Sequence, residues 1–296
     1  MSTEKKIKII ILNYNSANET VELYQQLLSF SHSFIDVLII DNLSNKDDLK
    51  ILTSKVPHNQ LLLNNKNLGY AGGNNIGINL SIQDNYDYTL ILNPDIRLTN
   101  ETIPTLLASY TTYPNAAAFG PRICYRNEPQ KIYSDGGLIN RKEGYLTNHL
   151  NFQKNIGEIN ITSPIHETDY VNGSCILINN EIVKKIGPLK NYFFLYFEET
   201  EWCLRAKTNG YSSFINTNSI SYHLTSNKSK NYHYFMVRNR VFLAKIENQY
   251  YSFTRNKIFK NLLKELLNIV TKGTFPKYWW TRMRGLVSGI FYTIKE

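Results

Sequence analysis

The sequence predicts an α/β protein with a mostly parallel, doubly wound sheet, flanking helices and a C-terminal helical appendage. Strand and helix patterns alternate through residues 1–125, and polar motifs directly follow three of the predicted strands. From residue 254 onward the pattern changes to basic amphipathic repeats. Alternating strands and helices are typical of parallel sheets. We therefore expect one large domain at residues 1–250 and a helical tail at residues 251–296.

Short apolar runs identify the strands. Residues 7–12 are isoleucine or leucine throughout except for Lys8, as expected of a strand that is buried on both faces. Further strands are predicted at residues 36–40, 60–63, 88–92, 116–119, 170–178 and 211–215. The segment 123–168 is rich in asparagine and glycine, which predicts irregular loops or hairpins.

Amphipathic spacing identifies the helices. Leu23, Leu27 and Leu28 share one face behind the capping residue Asn18. Further helices are predicted at residues 47–54, 74–82, 101–110, 181–186 and 198–208. In the tail, apolar residues recur every four positions within 257–270, and a second amphipathic pattern covers 277–294.

Charge and cysteine content exclude several protein classes. Of the net charge of +9, nine basic and two acidic residues within 254–296 contribute +7. This concentration argues against a general nucleic-acid binder and for a local anionic contact. The three cysteines form no Cys-x-x-Cys pair, so neither a zinc site nor a disulfide framework is expected. The sequence shows no signal peptide and no long apolar run, which predicts a cytoplasmic protein without a spanning helix.

Two polar motifs are suited to binding a nucleotide. Asp41 ends the second strand, where a carboxylate can accept a hydrogen bond from a pyrimidine ring or a ribose hydroxyl, or can cap a helix. Residues 67–75 combine glycines with amide side chains. Glycines allow close approach of the backbone to an anion, although the same composition also suits a simple turn. The segment is not Gly-x-Gly-x-x-Gly, so a dinucleotide fold is not supported.

Two further residue types are suited to a divalent cation. Asp95 follows a strand in the run Asn93-Pro94-Asp95. A carboxylate at a rigid strand end suits a hard cation that also holds phosphates, whereas a turn is the alternative use of this run. His223 is a candidate second ligand, although a lone histidine is more often structural.

An acidic cluster follows an aromatic run at residues 193–197. Glu198, Glu199 and Glu201 begin a predicted helix, and Glu201 lies four residues before Arg205. Clustered carboxylates beside apolar surface raise one another's pKa, which suits a general base. The alternative is a helix N-terminus that favours negative charge through its dipole.

In order and spacing these motifs resemble glycosyltransferase family 2, which has the inverting GT-A fold, and in particular its rhamnosyltransferase-like branch. The resemblance covers about residues 6–245. It depends on Asn67-x-Gly69-Tyr70-Ala71-x-Gly73-x-Asn75, on Asn93-Pro94-Asp95 and on the aromatic-Glu-Glu-x-Glu-x-x-x-Arg block that ends at Arg205. The run from Tyr232 to Arg238-Asn239 also resembles a family segment.

The resemblance implies an inverting, metal-dependent hexosyltransferase of cell-surface polysaccharide synthesis. Its donor would be a dTDP- or UDP-sugar, with rhamnose favoured, and its acceptor a glycan or a lipid-linked sugar. The implied nucleotide-sugar contacts are Asn13, Tyr14, Asp41, Asn67, Gly69, Gly73, Asn75 and Asn93. The implied ligands of Mg²⁺ or Mn²⁺ are Asp95 and His223. Glu199 would occupy the position of the catalytic base, with Glu198 as the alternative, and the acceptor side would comprise Gly173, Ser174, Glu201 and Arg205.

The sequence departs from the family pattern at two places. Asn93 stands where the metal motif usually has its first acid, and Glu198-Glu199 replaces the usual Glu-Asp pair. Two other classes remain open: a sugar nucleotidyltransferase, which shares the doubly wound architecture and the nucleotide ligand, and a non-catalytic protein that binds nucleotide sugars through a degenerate site. The first normally carries a basic, glycine-rich loop after its first strand, where this chain has Asn13-Tyr14-Asn15-Ser16.

The tail predicts a peripheral membrane contact. Its two basic amphipathic stretches include Tyr278, Trp279 and Trp280, residue types that favour a membrane interface. We expect it to hold the protein at the inner face of the cell membrane, where lipid-linked acceptors are presented. Packing of these helices on the rest of the chain, or a homodimer interface, is the alternative.

Overall fold

The computed structural model of the protein describes residues 5–30, 32–160, 162–224, 228–272 and 275–292, with the backbone alone described at 268–272. The strands are β1 (Ile7–Asn13), β2 (Ile35–Asp41), β3 (Leu61–Leu63), β4 (Tyr88–Leu92), β5 (Ile96–Leu98), β6 (Ala118–Tyr125), β7 (Ile132–Ser134), β8 (Gly137–Asn140), β9 (Leu146–His149), β10 (Ile165–Thr168), β11 (Cys175–Asn179) and β12 (Ser213–His223). The helices are α1 (Ala17–Ser29), α2 (Lys46–Lys55), α3 (Gly69–Gln83), α4 (Thr102–Thr112), α5 (Asn180–Ile186), α6 (Glu198–Thr208), α7 (Lys230–Ile246), α8 (Tyr251–Lys272) and α9 (Trp279–Phe291).

The main sheet is mixed rather than mostly parallel. Its order is β10-β12-β6-β11-β4-β1-β2-β3, with β5 added to β12 and β7 to β6. Strands β1, β2, β3 and β4 run parallel, as the alternating pattern predicts. Strand β11, however, is antiparallel to both β4 and β6. An apolar run shows that a strand is buried but not its direction, so the sequence pattern could not reveal this reversal.

The parallel half of the sheet is closely packed on both faces. Ile9 and Ile11 of β1 belong to the main apolar core together with Leu23 and Leu27 of α1. On the opposite face, α3 approaches so closely that a Cβ on Gly73 would lie 2.4 Å from Cδ1 of Leu12. Burying each large aliphatic side chain stabilises the fold by about 1.5–3 kcal/mol.

Several predicted elements differ in their bounds from the observed ones, among them β6 (Ala118–Tyr125, predicted at 116–119) and β11 (Cys175–Asn179, predicted at 170–178). Helix α3 begins at Gly69, five residues before the predicted start, so the glycine-rich segment is mostly helical. Strand β12 continues to His223, well past the predicted end at residue 215. The segment predicted to form irregular loops or hairpins contains β7 to β10, and the pairing of β8 with β9 agrees with the hairpin alternative.

The chain divides into two compact units. The first comprises Met1–Leu138, His149–Asn191 and Glu199–Thr225, and it contains the main sheet. The second comprises Ile139–Asn148, Tyr192–Glu198 and Ser226–Glu296. It therefore includes α7, which the boundary expected at residue 250 assigns to the first domain.

The second unit is organised around helices α7, α8 and α9. Ile258 and Leu262 of α8 pack with Val241 of α7 and with Trp279 and Leu286 of α9. One apolar row of α8 and one of α9 are therefore buried inside this unit. Among the described residues, no helix combines the length and the apolar character needed to cross a bilayer.

Candidate functional site

The candidate site lies at the carboxyl edge of the parallel strands in the first unit. Asn13 ends β1 and Asp41 ends β2, directly opposite each other in the register. Asn93 follows the end of β4, and His223 is the last residue of β12. In α/β sheets this edge is where ligands bind, because the loops that follow the strands converge there. The sheet thus brings four of the predicted site residues to one edge.

Asn13 and Asp41 form a closed hydrogen-bonded pair. Nδ2 of Asn13 donates to Oδ1 of Asp41 at 2.8 Å and to Oγ of Ser44 at 2.9 Å. The backbone N–H of Ser44 donates to Oδ2 of Asp41 at 2.9 Å. Asp41 is almost fully buried, so its carboxylate is held by the protein's own donors. Its contact with a nucleotide base stays a prediction.

Two apolar side chains are exposed beside this pair. Tyr14, which follows Asn13, is 51% exposed, and Leu43, which follows the second strand, is 49% exposed. The backbone of Leu43 is left-handed, with φ of 66°. An exposed leucine in this conformation is unusual, because the region favours glycine and asparagine. Flat and aliphatic surfaces of this kind suit contact with a nucleobase.

The Asn67–Gly69 turn is fastened by side-chain amides. Oδ1 of Asn67 accepts from the N–H of Gly69 at 2.8 Å and from Nδ2 of Asn42 at 3.1 Å. Oδ1 of Asn42 accepts in turn from the N–H of Leu68 at 3.0 Å. Gly69 has φ of 71°, which a side chain would oppose, and starts α3. The motif therefore fixes where this helix begins.

Gly73 and Asn75 face the interior rather than the open edge. Gly73 packs against Leu12 as described above. Nδ2 of Asn75 donates to the carbonyl of Leu189 at 2.7 Å and to Oδ1 of Asn191 at 2.8 Å. Both positions therefore have structural partners. Their contact with a donor sugar, implied by the resemblance, is untested.

Asp95 and His223 are brought together by the pairing of β5 with β12. Oδ2 of Asp95 lies 3.3 Å from Nε2 of His223, and both side chains are largely buried. Nδ1 of His223 is buried and has no hydrogen-bond partner among the described residues. The ring of Tyr133 stacks on the His223 ring with centroids 5.0 Å apart. The imidazole is therefore held by ring packing.

This pair suits a divalent cation that also binds a diphosphate. Two neighbouring ligands of an octahedral ion with bonds of about 2.1 Å are separated by about 3 Å, close to the observed spacing. Across the part of the chain that the structure describes, no group of three or more His, Cys, Asp or Glu side chains could hold a metal unaided. A cation here would therefore complete its coordination with ligand oxygens and water, as Mg²⁺ commonly does.

Asn93 and Ser174 connect the donor and acceptor sides of the predicted site. The N–H of Asn93 donates to the carbonyl of Ser174 at 3.0 Å, and the two side chains meet at 3.3 Å. Ser174 is also held by Oδ1 of Asn172, which accepts from its N–H at 2.9 Å. The β4–β11 pairing places these residues side by side.

Gly173 marks a narrow space between Tyr70 and Glu199. A Cβ at Gly173 would lie 3.0 Å from the Tyr70 hydroxyl and 3.5 Å from Cδ of Glu199. The Tyr70 hydroxyl donates to the Gly173 carbonyl at 2.5 Å. Burial raises the pKa of Glu199 from 4.5 to about 7, although hydrogen bonds from its own N–H and from Thr200 act in the opposite direction. Such a carboxylate is suited to accept a proton near neutral pH.

The structure favours Glu199 over Glu198 as the base. Glu198 is only 2% exposed, whereas Glu199 retains partial exposure and lies beside Gly173. The resemblance left both open, because a Glu-Glu pair replaces Glu-Asp. A base must reach the acceptor hydroxyl, so the accessible carboxylate is the better candidate.

Glu201 and Arg205 form an internal clamp. Nε of Arg205 donates to Oε1 of Glu201 at 2.7 Å, and Nη2 donates to Oε2 at 3.0 Å. Arg205 also donates to the carbonyls of Ile186, Gly187 and Pro188. These contacts join α6 to the end of α5. Arg205 therefore braces the acidic start of α6, and its predicted place on the acceptor side stays a prediction.

Sequence reasoning missed three residues of this region. Tyr70 lies inside the motif of residues 67–75, where an aromatic hydroxyl beside glycines could have indicated a site residue. For Leu43 and Tyr133 the sequence contains no signal of this kind. A left-handed leucine and a ring stacked on a distant histidine depend on tertiary structure.

The family model described as glycosyl transferase family 2 matches residues 8–187. A curated relative from Haloferax volcanii, the low-salt glycan biosynthesis hexosyltransferase Agl10, is 29% identical over 206 residues. This match covers 68% of the present chain and 61% of the relative, so the chain spans about three fifths of that protein. The dTDP-rhamnosyl transferase RfbF of Shigella flexneri is 22% identical over 304 residues, which cover 96% of this chain and 95% of the relative.

Solved structures confirm the expected GT-A fold. A mannosyltransferase from Pyrobaculum calidifontis, PcManGT in complex with GDP-Man and Mn²⁺, matches with a TM-score of 0.57 at 11% identity. That match covers 98% of this chain and 87% of the other. GalNAc-T7 with UDP, GalNAc and Mn²⁺ also gives a TM-score of 0.57, at 13% identity, over 93% of this chain and 59% of the other.

Proposed function

Because this chain belongs to glycosyl transferase family 2 and is therefore a glycosyltransferase, we propose that it transfers a hexose from a dTDP- or UDP-sugar with inversion at the anomeric carbon. Rhamnose is the first candidate, since the relative matched over nearly its full length is named a dTDP-rhamnosyl transferase. The acceptor would be a hydroxyl of a glycan or lipid-linked sugar, in line with the glycan-biosynthesis hexosyltransferase among its relatives.

The pairing of Asp95 with His223 at the carboxyl edge of the sheet carries this proposal. A carboxylate oxygen and an imidazole nitrogen 3.3 Å apart offer two ligands to Mg²⁺ or Mn²⁺. Such an ion, when bound, would stabilise the negative charge that develops on the leaving diphosphate. Both solved structures described above contain Mn²⁺ with a nucleotide or nucleotide sugar, which supports the same use here.

Glu199 is proposed as the general base in the same unit. It would take the proton of the acceptor hydroxyl while that oxygen forms its bond to the anomeric carbon. The bond from this carbon to the diphosphate oxygen breaks on the opposite face, and the nucleoside diphosphate leaves. The Tyr70 hydroxyl fixes the Gly173 carbonyl, so the chain beside Glu199 is held in place for the acceptor. Donor binding would use the loops around Tyr14, Asp41 and Asn67.

A direct transfer assay tests the proposal. Purified protein is incubated with Mn²⁺, a panel of dTDP-, UDP- and GDP-hexoses and simple glycosides, and release of nucleoside diphosphate is measured. We expect release that depends on acceptor and metal, with a dTDP- or UDP-sugar. In a parallel incubation with a nucleoside triphosphate and a sugar phosphate, formation of a nucleotide sugar would instead identify a nucleotidyltransferase. Binding of nucleotide sugar without turnover would identify the non-catalytic class.

The acid limb of the pH profile is expected near pH 7. The base must be unprotonated, and burial raises the pKa of Glu199 to about 7. Below that pH, kcat/KM should fall about tenfold per unit, and above it should level off. The limb is measured between pH 5 and 9 together with donor affinity. A donor affinity that falls along the same limb would assign the titration to binding instead of to the base.

We further propose that the second unit contacts an anionic membrane surface. Its inward apolar rows are buried, but Phe259, Leu263 and Leu267 form a second row on α8 that remains exposed, with Leu267 at 70%. Lys260 and Lys264 lie beside this row. On α9, Trp280 and Phe291 are 65% and 79% exposed. Apolar rows with basic neighbours suit the headgroup region of anionic lipids.

Vesicle cosedimentation tests this contact. We expect binding to phosphatidylglycerol vesicles and about 30-fold weaker binding to phosphatidylcholine, because roughly 1 kcal/mol accompanies each basic residue near an anionic surface and two lysines lie beside the apolar row. The double variant Leu263→Ser/Leu267→Ser should lose binding, whereas Leu138→Ser, an exposed leucine of the first unit, should retain it. Dimers in light scattering that the double variant abolishes, without vesicle binding, would identify the surface as a homodimer interface instead.

A further inference from the structure

The segment that leads into α6 has a strained backbone. Phe194, Tyr196 and Phe197 have φ of 65°, 68° and 75°. All three are aromatic residues in the left-handed region, which residues other than glycine and asparagine seldom adopt. Such conformations persist only where the surrounding structure holds them, and they cluster at functional sites. The segment continues directly into Glu198 and Glu199, the first residues of the helix.

Asn239 of α7 holds this segment through its main chain. Its side-chain Nδ2 lies 3.0 Å from the carbonyl oxygen of Phe193, 2.8 Å from that of Leu195 and 2.7 Å from that of Tyr196. An amide nitrogen has two hydrogens, so these carbonyls share two donors. Asn239 is fully buried, and its side chain is hydrogen-bonded to the strained segment and to its neighbour Arg238.

Arg238 completes the arrangement. Its Nε donates to Oδ1 of Asn239 at 2.9 Å, which orients the amide so that its nitrogen points at the carbonyls. Its Nη2 donates to the carbonyl of Tyr192 at 2.9 Å and to that of Phe193. The guanidinium lies 4.6 Å from the ring centroid of Phe235 and 4.9 Å from that of Phe242. Aromatic faces of this kind favour a cation, so the buried charge is stabilised.

We propose that Arg238 and Asn239 are positioning residues, which hold residues 192–197 in the conformation from which the chain enters α6 and so fix the backbone that carries Glu199. The sequence contributes a matching observation, since these two residues end the Tyr232–Asn239 run, to which the resemblance assigns no role. The proposal concerning catalysis depends on the proposed transferase function. The holding of the segment itself does not.

The isosteric variant Asn239→Asp is the sharpest probe. It removes both donors and places a carboxylate against carbonyl oxygens, with almost no change of volume. Arg238→Lys is the second variant, which keeps the positive charge but loses the planar fork that reaches Asn239 and the carbonyls together. Val241→Ala is the matched control, because this fully buried side chain lies on the same helix and packs in the apolar cluster with Ile258 and Leu262.

Two measurements are made on each variant. In transfer kinetics we expect kcat to fall about 100-fold in Asn239→Asp and Arg238→Lys, with the donor KM within about threefold of wild type, since displacing a catalytic group by about 1 Å has such an effect. In amide hydrogen exchange we expect residues 193–199 to exchange at least about tenfold faster. Val241→Ala should lower the melting temperature while leaving kcat and exchange of this segment close to wild type.

The outcomes separate this proposal from the proposed function. Unchanged kcat in a folded Asn239→Asp protein, or an equal loss in Val241→Ala, would overturn the positioning role. If the wild type transfers no sugar, the transferase proposal fails, and the exchange experiment alone decides whether Arg238 and Asn239 hold the segment. If amide exchange of residues 193–199 is unchanged in both Asn239→Asp and Arg238→Lys, the claim that Arg238 and Asn239 hold the segment is also wrong.

Discussion

Replacing Glu199 with glutamine is expected to lower kcat by about 10³-fold, the middle of the range for loss of a general base. Glutamine has nearly the same volume as glutamate but cannot take the proton from the hydroxyl of the acceptor sugar. The space beside Gly173 and the Tyr70 hydroxyl should therefore stay filled as in the wild type. The affinity for nucleotide should be unchanged, since this carboxylate contributes no proposed donor contact. Single-turnover kinetics with a saturating donor measure the effect directly.

Glu198→Gln is the matched control for this prediction. The two residues are adjacent, and the sequence alone could not choose between them. Because Glu198 is almost fully buried, its variant should change stability more than the chemical step. A large loss of kcat in Glu198→Gln with little loss in Glu199→Gln would reverse the assignment.

Replacing Asp95 with asparagine is expected to abolish metal-dependent stabilisation by nucleoside diphosphates. Asparagine keeps the shape of the side chain but removes the charge that binds a hard cation next to His223. If dTDP with Mn²⁺ is present at about 100 times its Kd, binding should stabilise the wild type by about 2.7 kcal/mol. A 100-fold weaker affinity would reduce this to about 0.4 kcal/mol.

Thermal unfolding with and without Mn²⁺ measures this change. The control is Asp84→Asn, which removes an exposed carboxylate elsewhere in the same unit, and it should retain the full metal-dependent rise in melting temperature. His223→Gln should resemble Asp95→Asn. An undiminished rise in Asp95→Asn would show that the cation binds elsewhere, and no rise in the wild type with any nucleotide would contradict metal-assisted donor binding.

The sequence predicted the parts of the site that depend on the ends of strands. Asn13, Asp41 and Asn93 follow apolar runs, and parallel strands bring such positions to one edge regardless of detail. Asp95 and His223 lie 128 positions apart in the sequence, and only the family resemblance predicted that they act together. In the structure the pairing of β5 with β12 places their side chains in contact. The fold class followed from the same alternation, apart from the direction of β11 and the antiparallel short strands β5, β7 and β10.

What the sequence could not predict depends on contacts between distant segments. Asn75 and Arg205 are in motifs that the resemblance assigns to ligands, yet both have partners within the protein. Asn75 donates to the Leu189 carbonyl and the Asn191 side chain, and Arg205 donates to Glu201 and to carbonyls of residues 186–188. Polar residue types do not reveal whether a carbonyl or a phosphate will lie opposite them. The three left-handed aromatic residues likewise have no local signature, because their conformation is maintained from α7.

The glycines of α3 have a consequence for how relatives of this protein are recognised. Gly73 and Gly77 lie one turn apart, and a Cβ on them would come within 2.4 Å of Leu12 and 2.6 Å of Ile10 respectively. The absence of a side chain at both positions therefore allows α3 to pack this closely against β1. Proteins that share these two glycines would therefore be expected to share this close contact between helix and strand, whatever sugar they transfer. Differences in donor preference should be sought instead at exposed positions such as Tyr14 and Leu43, where evolution can change the surface without separating the helix from the sheet.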